Sequence, residues 1–324
     1  MIIVRSPLRI SIAGGGTDIP SYYKINESFF ISAAINKYIY ISITKPFQKG
    51  IYLKYSKSEK VKNVKQIKHD IIREVLLNNF KTDQIEITTL TDIPAKTGLG
   101  SSGSFTTGLI KGLHSYKKKF IEKMHLAELA CDIEINKLKQ PSGKQDQYIS
   151  TYGGISEFKI NKSGQVFPKS LNLKNDIIDK LEDNLLLFFT GFSRNSSNIL
   201  SDQNKKTIQK DKTIISNLNY VKDLAKEIKK SLVKGELKTF GKLMHEHWIY
   251  KLTRSKKMSN SIINNYYDYA LKNSAVGGKI VGAGGGGFLL FYSETPNKLR
   301  QALKKTKLEE VRFKFDFEGV KQIL

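Results

Sequence analysis

Apolar residues recur along this chain in two rhythms, and the switches between them outline its elements. Short, β-branched and partly alternating runs predict strands at Ile2–Val4, Leu8–Ala13, Phe29–Ala34, Tyr38–Thr44 and Ile85–Leu90. A helix is predicted over Val64–Asn79, where Ile67, Ile71, Val75 and Leu76 share one face. Two more follow at Phe105–Tyr116 and Ile121–Lys139, the latter with a stripe of Leu126, Leu129, Ala130, Ile133 and Leu138. Pro141-Ser-Gly143 ends that stripe and opens a loop through Lys144–Tyr148. The polar, turn-rich stretch Lys159–Lys174 reads as a boundary between domains at residues 1–158 and 175–324.

In the second half a strand is predicted at Leu185–Thr190, then a polar helical region to about Lys230. Helices at Leu237–Tyr250 and Ser259–Leu271 come next, then strands at Gly278–Val281 and Phe288–Tyr292. A helix at Asn297–Lys305 and a strand at Val311–Phe317 close the chain. Strands and helices alternate without a strict βαβ rhythm, which predicts an α+β fold.

Composition changes that picture little, but it excludes some functions. The chain has 324 residues, 40% of them hydrophobic, enough for real cores. No apolar run approaches the ~18–20 residues that span a bilayer, so no membrane partner is expected. The strand-like N-terminus lacks the pattern of a cleavable signal, and a lone cysteine, Cys131, cannot form an internal disulfide. Both place the chain, as an expectation, in a reducing cytoplasm. Fifty-four basic residues against 30 acidic ones give a formal charge of +24. The lysines are spread along the whole chain, which argues against a nucleic-acid partner and for a general pull on phosphorylated small molecules. RNA retention by that charge remains the non-enzymatic reading.

Three glycine-rich segments carry the chemistry. Gly98-Leu-Gly-Ser-Ser-Gly-Ser104 holds three glycines and three serines in seven residues, just ahead of a predicted helix. Glycine lets the backbone approach a ligand closely, and a helix start offers free amides and a positive dipole end, a combination that suits a phosphate. The segment formally satisfies G-x-G-x-x-G, but Pro94 and Lys96 separate it from the preceding strand, and a helix lies where a second strand and its acid belong. A structural connector is the bland reading. Glu134 and Asp146 lie twelve residues apart soon after it, and phosphoryl transfer needs one acid for a metal and another for the acceptor hydroxyl. Taken alone, either could be a helix-surface or capping residue. Arg9 precedes the second segment, Gly14-Gly-Gly16, and Asp18 follows it, placed to bind sugar hydroxyls or to cap the next turn.

Together these residues resemble the GHMP kinases, the superfamily of galactokinase, homoserine kinase, mevalonate kinase and phosphomevalonate kinase. Pro7–Asp18 resembles the substrate-side motif, Pro94–Ser104 the phosphate loop, and Lys279–Gly287 the third, C-terminal glycine motif. The resemblance implies a two-domain α+β fold with the active site in the interdomain cleft, and ATP and Mg²⁺ as cofactors. It implies nucleotide contacts from Pro94, Lys96, Gly98, Leu99, Gly100, Ser101, Ser102, Gly103 and Ser104. It further implies Ser102 and Glu134 as metal ligands, and Asp146 with Arg9 as the catalytic pair. Gly14, Gly15, Gly16, Thr17 and Asp18, with Gly284, Gly285 and Gly286, would face the substrate.

Galactokinases carry Gly-Glu-His-Thr-Asp where this chain has Gly14-Gly-Gly-Thr-Asp18, which leaves a roomier site. That form is similar to the branch that phosphorylates the anomeric O1 of D-glycero-D-manno-heptose 7-phosphate, on the way to nucleotide-activated heptose and surface polysaccharide. It is similar also to the kinase part of fucokinases, so fucose or another hexose is the alternative acceptor. A phosphorylated acceptor needs an added cationic pocket, for which Arg194, or Lys251 with Arg254, are the candidates. A homodimer is compatible with all of this.

Overall fold

A computed structural model describes residues 1–192, 196–255 and 257–324. The first half is built around one exceptional strand. Strand β1 (Ile2–Ala13) and the short helix α1 (Pro20–Tyr23) lead into β2 (Ser28–Thr44), a single strand of 17 residues. The pattern had suggested two strands here because the register against β1 slips after Pro7, where Pro7 pairs with Tyr38 but Leu8 with Ile35. That bulge also accommodates Pro7, whose missing N–H a regular central ladder would not tolerate.

Strands β3 (Gly50–Lys54), β4 (Ser58–Val61) and β5 (Gln84–Thr91) extend the sheet, with helix α2 (Asp70–Asn79) between β4 and β5. The predicted helix over 64–79 is broken at Lys68 and His69, whose amides donate to Glu59. Helix α3 (Ser101–Tyr116) lies flat on the sheet. At Gly112 an added Cβ would meet Ile43 Cδ1 at 2.9 Å, so the helix packs closer than any side chain would permit. Helix α4 (Lys123–Cys131) continues as a π-helical turn at Asp132–Lys137. Helix α5 (Gln145–Tyr152) replaces the expected loop, and β6 (Ile155–Ile160) pairs with the first half of β2. Strand β7 (Val166–Ser170) pairs with β6, so most of the stretch read as a domain boundary belongs to this sheet.

The second half contains α6 (Asn175–Asn184), β8 (Leu185–Phe189), α7 (Ser196–Ile208), α8 (Lys212–Lys234), α9 (Leu237–Leu252) and α10 (Ser261–Lys272). Strands β9 (Gly277–Ile280) and β10 (Phe288–Tyr292), helix α11 (Pro296–Leu303), and the two-residue strands β11 (Glu309–Glu310) and β12 (Lys321–Gln322) complete it. Its sheet runs β11-β8-β10-β9. The final segment crosses between the sheets. Val311 donates to Leu187, Asp316 to Ala34, and β12 then pairs with β1. The strand expected at Val311–Phe317 is therefore extended chain with a single bridge, Ile35 to Phe315. A large apolar core runs from the first sheet through α8 and α9 to Leu290 and Tyr292, tying the halves together. Among the described residues no helix is long and apolar enough to cross a membrane.

Candidate active site

The glycine segments meet in one cleft, main chain against main chain. A Cβ on Gly98 would lie 2.7 Å from the Val281 carbonyl, one on Gly282 would lie 2.6 Å from the Gly98 carbonyl, and one on Gly287 would lie 2.0 Å from the Thr97 carbonyl. The phosphate-loop segment is also tied to β1, since the Arg9 amide donates to the Leu99 carbonyl at 3.0 Å. Gly100 takes a left-handed φ of 75° and starts α3, so Ser101, Ser102 and Gly103 form the first turn of that helix.

Opposite this turn stands Asp146, in the first turn of α5. The Arg9 guanidinium grips it, with Nε and Nη2 each 2.7 Å from Oδ1, while Nη1 donates to the Gly98 carbonyl. One buried cation thus aligns the carboxylate with the phosphate loop. The contact leaves no slack. A Cβ on Gly103 would fall 2.6 Å from Asp146 Cβ, and one on Gly100 would fall 3.1 Å from Asp146 Cγ.

Glu134 sits in the π-helical turn, almost fully buried, accepting from the Ser102 hydroxyl and, at 3.0 Å, from Gln147 Nε2. Such turns insert one residue into a helix and re-aim the side chains. Burial pushes its carboxyl up, against hydrogen bonds from Ser102, Gln147 and Thr106 that pull it down. One carboxylate beside one hydroxyl at the start of α3 is a donor set that fits Mg²⁺, which takes few protein ligands and fills its remaining positions with water and phosphate oxygens. Among the described residues there is no cluster of three acidic, His or Cys side chains to form an all-protein metal cage.

Asp18 forms the other wall. Its carboxylate accepts from the Gly16 amide at 3.1 Å and the Gln145 amide at 3.2 Å, and is packed onto Gly143, where a Cβ would lie 1.9 Å away. Burial, then the nearby Asp146 charge, pushes the Asp18 carboxyl up. Thr17 supports this wall from behind, its buried hydroxyl donating to the Gly14 carbonyl at 2.8 Å.

Several expected contacts point elsewhere. The Ser104 hydroxyl donates to the Ser6 carbonyl and its amide to Gly100, so neither faces a phosphate. Leu99 is wholly buried, while Pro94 and Lys96 are exposed and outside the cavity lining. From the third motif, Gly282 and Ala283 line the cleft rather than Gly284, Gly285 and Gly286. The Gly285 amide is spent on the Met258 carbonyl at 2.7 Å, and a Cβ on Gly286 would meet the Phe192 carbonyl at 2.9 Å. Arg194 lies outside the described residues.

Of the cleft floor, the sequence offered Lys251 and Arg254 as candidate cations, but His247 and the inward turn of Lys279 were missed. His247, Lys251 and Arg254 follow one another at helical spacing along α9 and just past its end, and Lys279 reaches the same place from β9. The i, i+4, i+7 pattern of basic residues beside the apolar stripe of α9 was the available signal.

Comparison with known proteins shows the family. Residues 59–154 match the GHMP kinases N-terminal domain and residues 228–308 the GHMP kinases C-terminal domain. The chain is 30% identical to the D-glycero-alpha-D-manno-heptose 7-phosphate kinase of Campylobacter jejuni, over 99% of this chain and 98% of that one. It is 27% identical to the bifunctional fucokinase/GDP-fucose pyrophosphorylase of Arabidopsis thaliana over 74% of this chain, though over only 23% of that protein. A crystal structure of a D-glycero-D-manno-heptose 1-phosphate kinase from Bacteroides thetaiotaomicron superposes with a TM-score of 0.82, at 24% identity, covering 100% of this chain and 99% of that one. Fold and cleft therefore define an ATP-dependent phosphotransferase acting on a sugar hydroxyl. The chain belongs to the GHMP kinases.

Proposed function

We propose that this kinase transfers the γ-phosphoryl group of ATP to the anomeric O1 of D-glycero-D-manno-heptose 7-phosphate, giving the 1,7-bisphosphate. The observation that carries the reading is the Arg9-clamped Asp146, packed directly on the first turn of α3 and lining a cavity whose other wall is Asp18. The likeness to the Campylobacter jejuni enzyme supports the acceptor.

Gly98–Gly103 and the free amides of the α3 start would hold the triphosphate. Ser102 and Glu134 would hold Mg²⁺, which when bound neutralises charge on the phosphate oxygens. Asp18, held by the Gly16 and Gln145 amides, would fix the sugar hydroxyls. Asp146 then accepts the proton of the O1 hydroxyl as that oxygen attacks phosphorus in line, and Arg9 keeps the acceptor lone pair aimed at it. The O1–P bond forms, the bond to the β-phosphate oxygen breaks, and ADP leaves. Little covalent chemistry falls to the protein, so positioning dominates the rate.

The test is ADP release across free and phosphorylated hexoses and heptoses, with the product located by ³¹P NMR. Heptose 7-phosphate should give the highest kcat/KM and an anomeric phosphate. Fucose as the best acceptor would move the chain to the fucokinase branch, and phosphorylation at any other hydroxyl would refute the placement of O1.

A further inference from the structure

The cleft floor carries more positive charge than phosphoryl transfer at O1 requires. Lys251, Arg254 and Lys279 are each at most 6% exposed, and all three line the cavity that also holds Asp18 and Asp146. Their hydrogen bonds go to neutral groups. Lys251 Nζ donates to the Ile280 and Gly282 carbonyls, Lys279 Nζ to the Ile12 carbonyl at 2.8 Å, and Arg254 to Asn217 Oδ1 and the Gly15 carbonyl. Among the described residues Arg254 Nη2 is buried without a partner, as are both ring nitrogens of the adjoining His247. Removing cations from water is costly unless an opposite charge offsets the loss, and neutral carbonyls offset only part of it. The cluster shows that cost. Burial, then mutual repulsion with Arg254 and Arg9, lowers Lys251 to about 7. Lys279 is held well below its ordinary value for the same reasons.

We infer that Arg254, with Lys251 and Lys279, forms a dedicated subsite for a phosphate monoester at the end of the acceptor remote from the reacting hydroxyl. The inference rests on the acceptor reading above and deepens it by assigning the residues that read the second phosphate. Position supports it. Arg254 bonds the Gly15 carbonyl beside the Asp18 wall, and its Nη1 would lie 2.7 Å from a Cβ on Gly16, whereas Arg9 and Asp146 hold the reacting end. A phosphorylated sugar spanning the cleft would place its dianion against the unpartnered Nη2 and relieve the repulsion among the three cations.

The experiment compares kcat/KM for D-glycero-D-manno-heptose 7-phosphate with that for the unphosphorylated heptose, in wild type and Arg254→Gln. Wild type should prefer the phosphorylated sugar, and the substitution should cut that preference about 100-fold, through KM rather than kcat. A second measurement needs no variant, since inorganic phosphate should inhibit competitively against the sugar phosphate and not against ATP. If wild type shows no preference, the acceptor reading and the subsite fall together. If the preference is present but survives in Arg254→Gln, or if phosphate competes with ATP alone or with neither substrate, only the subsite is overturned.

Discussion

Gly103→Ala tests whether the contact between α3 and Asp146 is a catalytic fit or only close packing. The new methyl would lie 2.6 Å from Asp146 Cβ and 2.9 Å from both the Asp146 carbonyl carbon and the Gln147 amide. Carbon atoms rest comfortably at about 3.5–4.0 Å, so α5 must retreat by roughly 1 Å. Overpacking of this kind costs about 1–3 kcal/mol, but Ala in place of Gly returns about 1 kcal/mol of helix propensity. Net destabilisation should then be about 0–2 kcal/mol, a shift of a few degrees in Tm for a chain of this size. Catalysis is less forgiving, because a misplacement of about 1 Å at a reacting group costs on the order of 100-fold. The assay is ADP release alongside a thermal melt, with Gly112→Ala as control. That position carries a similar clash, 2.9 Å to Ile43 Cδ1, but against a movable side-chain tip away from the cleft. A kcat within threefold of wild type in Gly103→Ala, or an equal loss in Gly112→Ala, would refute the argument.

Three further outcomes follow from the same geometry. Asp146→Asn keeps the shape but loses the proton acceptor, so kcat should fall by about 10²–10⁴ while ATP affinity, read by calorimetry, stays close to wild type. Gly143→Ala would put a methyl 1.9 Å from Asp18 Oδ2, so KM for the sugar should rise at least tenfold with KM for ATP little changed, as separate substrate titrations would show. Lys251→Met tests the charge cluster through stability. With Lys251 lowered to about 7 from 10.5, the native protein binds fewer protons than the unfolded chain between those values. The group's contribution is therefore present above about 10.5 and is lost as pH falls through 7. Melts across that range should show Lys251→Met gaining most over wild type near pH 6 and the gap closing towards pH 10.

The first two glycine segments were legible because their close main-chain packing demands glycine, and glycine clusters survive in a bare sequence as spacing. Arg9, Asp146 and Glu134 were found from those anchors. What the sequence hid has physical causes. Strand β2 was split because a bulge near Asn36 and Lys37 interrupts its alternation. Helix α5 passed for a loop because its inner face buries the polar Gln147, Ser150 and Thr151, the two hydroxyls donating back to the Asp146 and Gln147 carbonyls and Gln147 to Glu134. Ser104 looked like a phosphate donor because nothing in its spacing reveals that its hydroxyl turns back to Ser6. Lys279 was legible only as the first residue of the third motif, because the group that receives its ammonium is a main-chain carbonyl, that of Ile12, and carbonyls leave no mark on residue identity.

The abutment of Gly98 on Gly282, and of Gly287 on Thr97, has a bearing on how this enzyme can change. A seam with no side chains on either face has nothing to exchange for a larger or smaller group, so each half holds the other's loop to a single shape. Divergence in what the kinase accepts must therefore come from the far wall, where Leu200 and Gln203 line the cavity away from that seam. New acceptors can evolve there while the triphosphate end stays as it is.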